Sequence, residues 1–461
     1  MAPRTTTAPT PSPRPRSGGR RLSREQVLAE QRLRLMMAMV EAIGQSGYRA
    51  TTVADVVARA GVSRKTFYVH FANKRDCFLT TYDAVSARAT RRLEKAYREA
   101  ARWPERVEAT IGALFGAAIE NPAALRLATI EIAAAGPAGI ERRERSIARY
   151  ERFIRDAVEM APGEGRISET TARAIVGGLY GILQRRGSSG GHSGLLALVP
   201  DLVTWATSYY PTPAAITKSP TRAARKHPGF AGGRAPGTLA RPSAFIARRG
   251  LARGNQNVSR SFVVHSQRER ILDAVANLVA TKGYAALDVN DIAEQAAISL
   301  KAFYEHFADK EDAFLVAYEL GHAKGLALVE RTYAAQPGWR EAVRAGISTL
   351  FHFLASEPAF AHIALVDALT ATTHTAERSS VGVRAFARML VPGLEEAPGY
   401  ARPPAVTIEA IAAGVFELCL HYAVQGKIRE LPELTRDGTY IALAPFIGAE
   451  EAARVATEAA V

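Results

Sequence analysis

Cysteine is almost missing from this chain. Two of its 461 residues are cysteines, Cys77 and Cys419, far apart and without a CxxC spacing. Each falls on an apolar face, which predicts buried thiols in a reducing cytoplasm rather than a disulfide framework or a thiolate metal site. Alternating period-2 stretches of useful length are missing too, so the expected fold class is all-α. The two most apolar runs are broken by Glu131 and Glu417, and no membrane span is expected. The Pro- and Arg-rich start has no apolar core, so it does not read as a secretory signal. His352, His362 and His374 lack metal-ligand spacing. The Gly-rich stretch 187–194 lacks the GK[ST] ending of a phosphate loop. No Ser/His/Asp or Cys/His arrangement stands out. The expectation is a protein that is not an enzyme and that uses no metal and no cofactor.

Acid is missing from two segments. Residues 1–24 hold six arginines and no acid, and residues 211–262 hold ten Lys or Arg and no acid. These sixteen charges exceed the whole chain's +14, leaving −2 for the remainder. Both segments read as disordered basic arms, 1–24 as a tail and 211–262 as a linker. As a flexible coil of about 50 residues the linker would span about 40 Å, near one turn of duplex.

What is present is one phrase written twice. "GVSRKTFYVHFANK" runs from Gly61 to Lys74, and "AISLKAFYEHFADK" runs from Ala297 to Lys310, at an offset of 236. Across Gly47–Tyr82 and Gly283–Tyr318, 18 of 36 positions are identical without a gap. The same offset pairs Trp103 with Trp339, Phe115 with Phe351, Pro122 with Pro358 and Gly178 with Gly414. Two domain-sized repeats of about 190 residues follow. The apolar stripe Leu35, Met36, Met39, Val40 and Ile43 predicts an opening helix, matched by Ile271, Leu272, Val275, Ala276 and Val279. Thr52 with Asp55, and Asp288 with Asp291, are expected capping boxes. Ser63 and Ser299 are expected caps of a short second helix. Long helices are expected over Lys74–Trp103 and Lys310–Trp339.

A short helix, a tight turn at Gly61, and a second short helix from Arg64 make a helix-turn-helix. Phe67 and Phe71 form its buried side. Arg64, Lys65, Thr66, Tyr68 and His70 are left towards the outside, where such a helix enters a major groove. The pattern G-Y-x-A-T-T-V-x-D-V-V-x-x-A-G-V-S-x-x-T-F-Y-x-H-F-x-x-K, from Gly47 to Lys74, resembles the DNA-binding segment of the TetR family of bacterial transcriptional regulators. The resemblance covers Leu33–Phe78 and Glu269–Phe314. It implies in each repeat a three-helix head, a larger helical body that binds a small-molecule effector, and dimerisation through the last two helices. By matching positions it implies phosphate contacts from Thr52, Tyr68, His70 and Lys74, and base contacts from Arg64, Lys65 and Thr66. In the second copy Asp288, Tyr304, His306 and Lys310 take the backbone positions, and Leu300, Lys301 and Ala302 the base positions.

The copies differ where it matters for reading. Leu300 and Ala302 cannot hydrogen-bond bases, and Ala297 replaces the turn glycine. The expected domains are heads at 25–78 and 263–318 and bodies at 79–210 and 319–461. The paired stripes Ile175, Gly178, Leu179, Ile182 and Ile411, Gly414, Val415, Leu418 fit either packing of repeat against repeat or a core within each body. Glu131 and Asp367, at equivalent places in otherwise apolar segments, read as helix-surface carboxylates, the alternative being a pair that orients a polar or cationic ligand. The expected function is a ligand-responsive repressor, its repeats forming an intrachain pseudo-dimer or the chain a homodimer, on a double-stranded DNA operator that is an imperfect palindrome. The rival is a ligand-binding or scaffold protein with degenerate heads.

Overall fold

The computed structural model describes residues 23–161, 166–188, 194–217, 260–368, 373–398 and 402–458. The basic tail up to Leu22 and the linker 218–259 lie outside the described residues, as do positions 189–193 of the Gly-rich stretch. Among the described residues there is helix and no strand.

The first head is α1 (Arg24–Ala50), α2 (Val53–Ala60) and α3 (Arg64–His70). Ser23 caps α1 in a box with Gln26, so Arg24 belongs to the helix rather than to the tail. Leu35, Met39 and Ile43 are fully buried, as the stripe requires. Gly47, at φ +74°, breaks the helix. α2 opens on the Thr52–Asp55 box and closes on Gly61 at φ +62°, and Ser63 caps α3. The body follows as α4 (Lys74–Glu99), α5 (Trp103–Glu120), α6 (Pro122–Arg126), α7 (Pro137–Glu159), α8 (Glu169–Ser188), α9 (Val199–Thr207) and the short α10 (Ala214–Thr217). α4 therefore stops before Trp103, which instead opens α5. Ala100 is extended there, and Pro104 sits in the first turn of α5, where its missing N–H costs nothing. A π-helical turn, Leu127–Glu131, continues α6.

The second repeat runs α11 (Arg260–Lys282), α12 (Val289–Ala296), α13 (Leu300–His306), α14 (Lys310–Ala334), α15 (Trp339–Ser356), α16 (Pro358–His362), α17 (Thr373–Leu390), α18 (Gly393–Glu396), α19 (Val406–Val424), α20 (Thr435–Ile447) and α21 (Ala449–Thr457). Trp339 again opens its own helix. The two ends of the segment read as a linker are helical: Ile216 is fully buried, and α11 starts at Arg260.

The second capping box does not form. Asp288 accepts from the Asn290 backbone and side chain, while Asp291 turns to Lys282 at 3.0 Å. Ala297 occupies the glycine position at φ +52°, ψ +52°. A β-carbon is disfavoured there by about 1 kcal/mol. Ala297→Gly is therefore expected to stabilise the second head by about that much, read as a higher urea midpoint at unchanged slope.

The repeats pack on each other through α8 and α19. A β-carbon on Gly178 would lie 2.6 Å from the Ala410 carbonyl oxygen, and one on Gly414 would lie 2.4 Å from that of Ala174. These are the same contact seen from its two sides, since the offset of 236 turns Gly178 into Gly414 and Ala174 into Ala410. Such reciprocity is the signature of an isologous, two-fold interface. The small-residue stripes thus serve packing of repeat against repeat. The turn after α9 and helix α20 extend the contact: the Tyr209 hydroxyl donates to the Ile441 carbonyl, and the Tyr440 hydroxyl donates to the Tyr209 carbonyl.

α19 is long and apolar enough to cross a membrane by length and composition alone, yet most of it is buried inside the protein. Glu417 does not disqualify it by count, as the sequence suggested. Instead it is buried at the interface, where Arg143 grips it with two nitrogens at 3.1 and 2.5 Å. Arg173 lies 3.7 Å from Glu417 and binds Glu144 and Glu151, and His421 reaches Glu144 at 2.7 Å.

Candidate nucleic-acid interface

Each recognition helix is fixed from behind by aromatic packing. Phe67 and Phe303 are fully buried, and Phe71 and Phe307 nearly so. Their burial forces the intervening residues outward. Arg64, Lys65, Leu300 and Lys301 are exposed, while Thr66 and Ala302 sit half-buried at the shoulder. Tyr68 is 59% and Tyr304 58% exposed, a large aromatic surface that no part of the head covers. The second head presents the same scaffold as the first with Leu300 and Ala302 in place of Arg64 and Thr66.

The remaining predicted residues are tied to the head itself. The Thr52 hydroxyl donates to Asp55 and accepts from its backbone N–H, and Thr52 stays exposed. His70 lies 3.3 Å from Gln31 and His306 lies 3.4 Å from Gln267. Burial lowers both imidazole pKa values, helped by Arg32 and Arg268 respectively, so both rings are neutral at pH 7. They can offer a hydrogen bond but no charge. Lys74 directs its ammonium to the carbonyls of Tyr48 and Thr51, both at 2.9 Å, and of Arg49 at 3.4 Å. The same group lies over the Tyr48 ring, and burial lowers its pKa. Lys310 repeats this with the Leu287 carbonyl at 2.8 Å and the Tyr284 ring. These lysines lock the corner between the first two helices to the start of the fourth.

Glu131 and Asp367 are not surface carboxylates. Both are buried, each on a π-helical turn of the body. Glu131 accepts from the Tyr48 backbone N–H at 2.9 Å and from Arg126 at 3.0 Å. Asp367 accepts from the Tyr284 N–H at 3.2 Å and holds His362 at 2.6 Å. They join each head to its body at the glycine that ends the first helix. The signal in the sequence was a carboxylate at the same place in both repeats within apolar surroundings. Burial could have been suspected from that, but the partner backbone N–H could not.

Behind the first head lies a cavity of about 690 Å³ between α1, α4, α5, α7 and α8. Its walls are mainly apolar, with Arg88, Arg91 and Arg92 along α4. The corresponding space in the second body is about 120 Å³.

Two short helices crossing a glycine-type turn, with an exposed basic and aromatic face, define a helix-turn-helix DNA-binding protein, here with two heads. The profile of the bacterial regulatory proteins of the tetR family matches residues 35–81 and again 271–317. The two heads thus match that family's model in tandem, once in each repeat. It is 28% identical over 83 residues to a fatty acid metabolism regulator protein of Bacillus subtilis (strain 168), a match that covers 18% of this chain and 43% of that protein. The chain thus spans less than half the length of that curated relative. Solved structures with similarity include the fatty acid degradation regulator FadR from Bacillus halodurans, at 17% identity and TM-score 0.36, covering 38% of this chain and 94% of that one. The transcriptional regulator FadR from Bacillus subtilis, in complex with stearoyl-CoA, gives 18% identity and TM-score 0.35, covering 38% of this chain and 96% of that one.

Proposed function

We propose that one chain acts as a covalent pseudo-dimer that places two unlike heads on one operator as a ligand-responsive repressor. The reciprocal Gly178–Ala410 and Gly414–Ala174 contacts carry this reading, because they give one chain the two-fold interface that a paired reader of half-sites needs. Arg64, Lys65 and Thr66 read bases in the first head, and Lys301 is left to do so in the second. Tyr68 and Tyr304 hold the phosphate backbone with Thr52, while His70 and His306 contribute neutral hydrogen bonds. Lys74 and Lys310, with their ammonium groups engaged on carbonyls, set the corner and present the following helix start to phosphate. Sedimentation at low concentration should give a particle of about 50 kDa, the size of one 49.6 kDa chain. A stable species of twice that mass would replace the pseudo-dimer with a pair of tandem chains.

The effector is proposed to enter the first body's cavity. An apolar space of about 690 Å³ beneath arginines suits a long apolar tail with an anionic group. The matched relative's part in fatty acid metabolism agrees with such a ligand.

The basic tail is proposed to add affinity without specificity. Each arginine that neutralises a phosphate contributes about −0.9 to the slope of log affinity against log salt. Deleting residues 1–20 should flatten that slope in a gel-shift series and leave the selected sequence unchanged. An unaltered slope would make the tail a bystander.

A further inference from the structure

We infer that effector binding is confined to the first repeat, and that the second repeat has been filled in to serve as a fixed partner. This rests on the reading of the first body's cavity as a ligand site. The two cavities are built from the same positions. Tyr82 and Ile154, Leu114 and Leu179 line the first, and Tyr318, Leu350 and Val415 stand at three of the matching places in the second. What differs is size and polarity. Ala117 and Ala124 of the first repeat are Phe353 and Phe360 in the second. Those two rings pack at 5.6 Å between centroids, and Phe353 presses on Gly325, where a β-carbon would lie 2.5 Å from the ring. The two added benzyl groups occupy part of the space lost between the cavity of about 690 Å³ and that of about 120 Å³.

The polar fittings disappear in step. In the first cavity Tyr82 donates to Ser146 at 3.1 Å, Ser86 lies 2.8 Å from Ser146, and Arg149 donates to both serines at 3.0 Å. In the second repeat Ser86 becomes His322 and Ser146 becomes Gly382, while Tyr150 becomes Phe386. The rim changes as well. Arg91 and Arg92 become Ala327 and Leu328, and Arg88 becomes Lys324, which is paired with Glu357 at 3.0 Å. An anionic amphiphile therefore finds room, hydroxyl groups and the guanidiniums of Arg88 and Arg91 in the first repeat, where Arg92 is held by Glu120, whereas the second repeat keeps only the paired Lys324. Both cavities are lined by the interface helices, α8 on one side and α19 on the other, so a single occupied site abuts the contact shared by both heads.

The test uses the full chain with a dansyl-labelled undecanoate and a diazirine-bearing fatty acid. Titration followed by native mass spectrometry should find one probe per chain. Photolabelling followed by peptide mapping should mark α4, α5 or α8. Ala117→Phe, which copies the second repeat's own residue, should weaken binding at least tenfold while circular dichroism stays helical. If that variant fails to fold, the mapping on the unaltered chain decides. Two probes per chain, or label on α14, α15 or α19, overturns the inference and leaves the bodies as ligand sites. Absence of binding by either probe overturns the ligand reading of the first cavity and this inference with it.

Discussion

Replacing Glu417 by alanine is expected to destabilise the chain by about 3–5 kcal/mol, the range for removing one partner of a buried ion pair. Glu417 is 2% exposed and takes both guanidinium nitrogens of Arg143 across the interface. Its loss leaves the buried Arg143 guanidinium without its two short bonds and with only Glu144, at 3.4 Å, beside it. Glu409→Ala is the control. That carboxylate bridges the same repeats to Arg185 and Arg186, but its side chain is 28% exposed, so about 1 kcal/mol or less is expected. Urea unfolding of both variants separates a buried charge from a solvated one. Equal effects would mean that the cluster is not dry. Joint replacement, Arg143→Met with Glu417→Met, should recover much of the loss, because the desolvation cost leaves with the pair.

The same cluster sets an acid limit. Burial by itself would raise the Glu144 carboxyl, but the His421 hydrogen bond and the Arg173 and Arg143 guanidiniums outweigh it and hold the pKa well below the usual carboxylate range. A folded pKa below the unfolded one contributes stability that is complete above the unfolded value near 4.3 and drains as pH falls through the folded value. Melting temperature should drop below about pH 4.3, and less steeply in Glu144→Gln, whose starting stability is lower.

Arg64→Ala is expected to relax one half-site of the operator and leave the other unchanged. Arginine can grip a guanine edge through two hydrogen bonds, worth about 1–3 kcal/mol of discrimination, or roughly fivefold to 150-fold in affinity. Its counterpart Leu300 offers only apolar contact, suited to a thymine methyl. Both side chains are exposed at the start of equally scaffolded helices, so what they read differs while how they are held does not. Leu300→Arg should move the selected site towards symmetry. Selection from random DNA by the three proteins tests this. A symmetric site for the unaltered chain, indifferent to Leu300→Arg, would take base reading away from the second head.

Much of this molecule is legible along the chain because the deciding interactions are local. The α2 cap at Thr52, the α3 caps at Ser63 and Ser299, and the inward Phe67 and Phe303 depend on residues three or four apart, so spacing alone determined the heads and their tandem repetition. Local chemistry also misled in places. Asp288 and Asp291 had the right spacing for a capping box, yet Lys282, nine residues away, took Asp291. Trp103 continued an apolar pattern but belongs to the next helix. Only the tertiary structure decided the use of Glu131, Asp367, Gly178, Gly414 and Glu417. Their partners lie in another helix, up to 274 residues away in the case of Arg143 and Glu417, and no periodicity encodes such a distance. The unequal cavities belong to the same class: Ala117 and Phe353 are both plausible on an apolar helix face, and only the packing of the surrounding helices determines that one leaves a space and the other fills it.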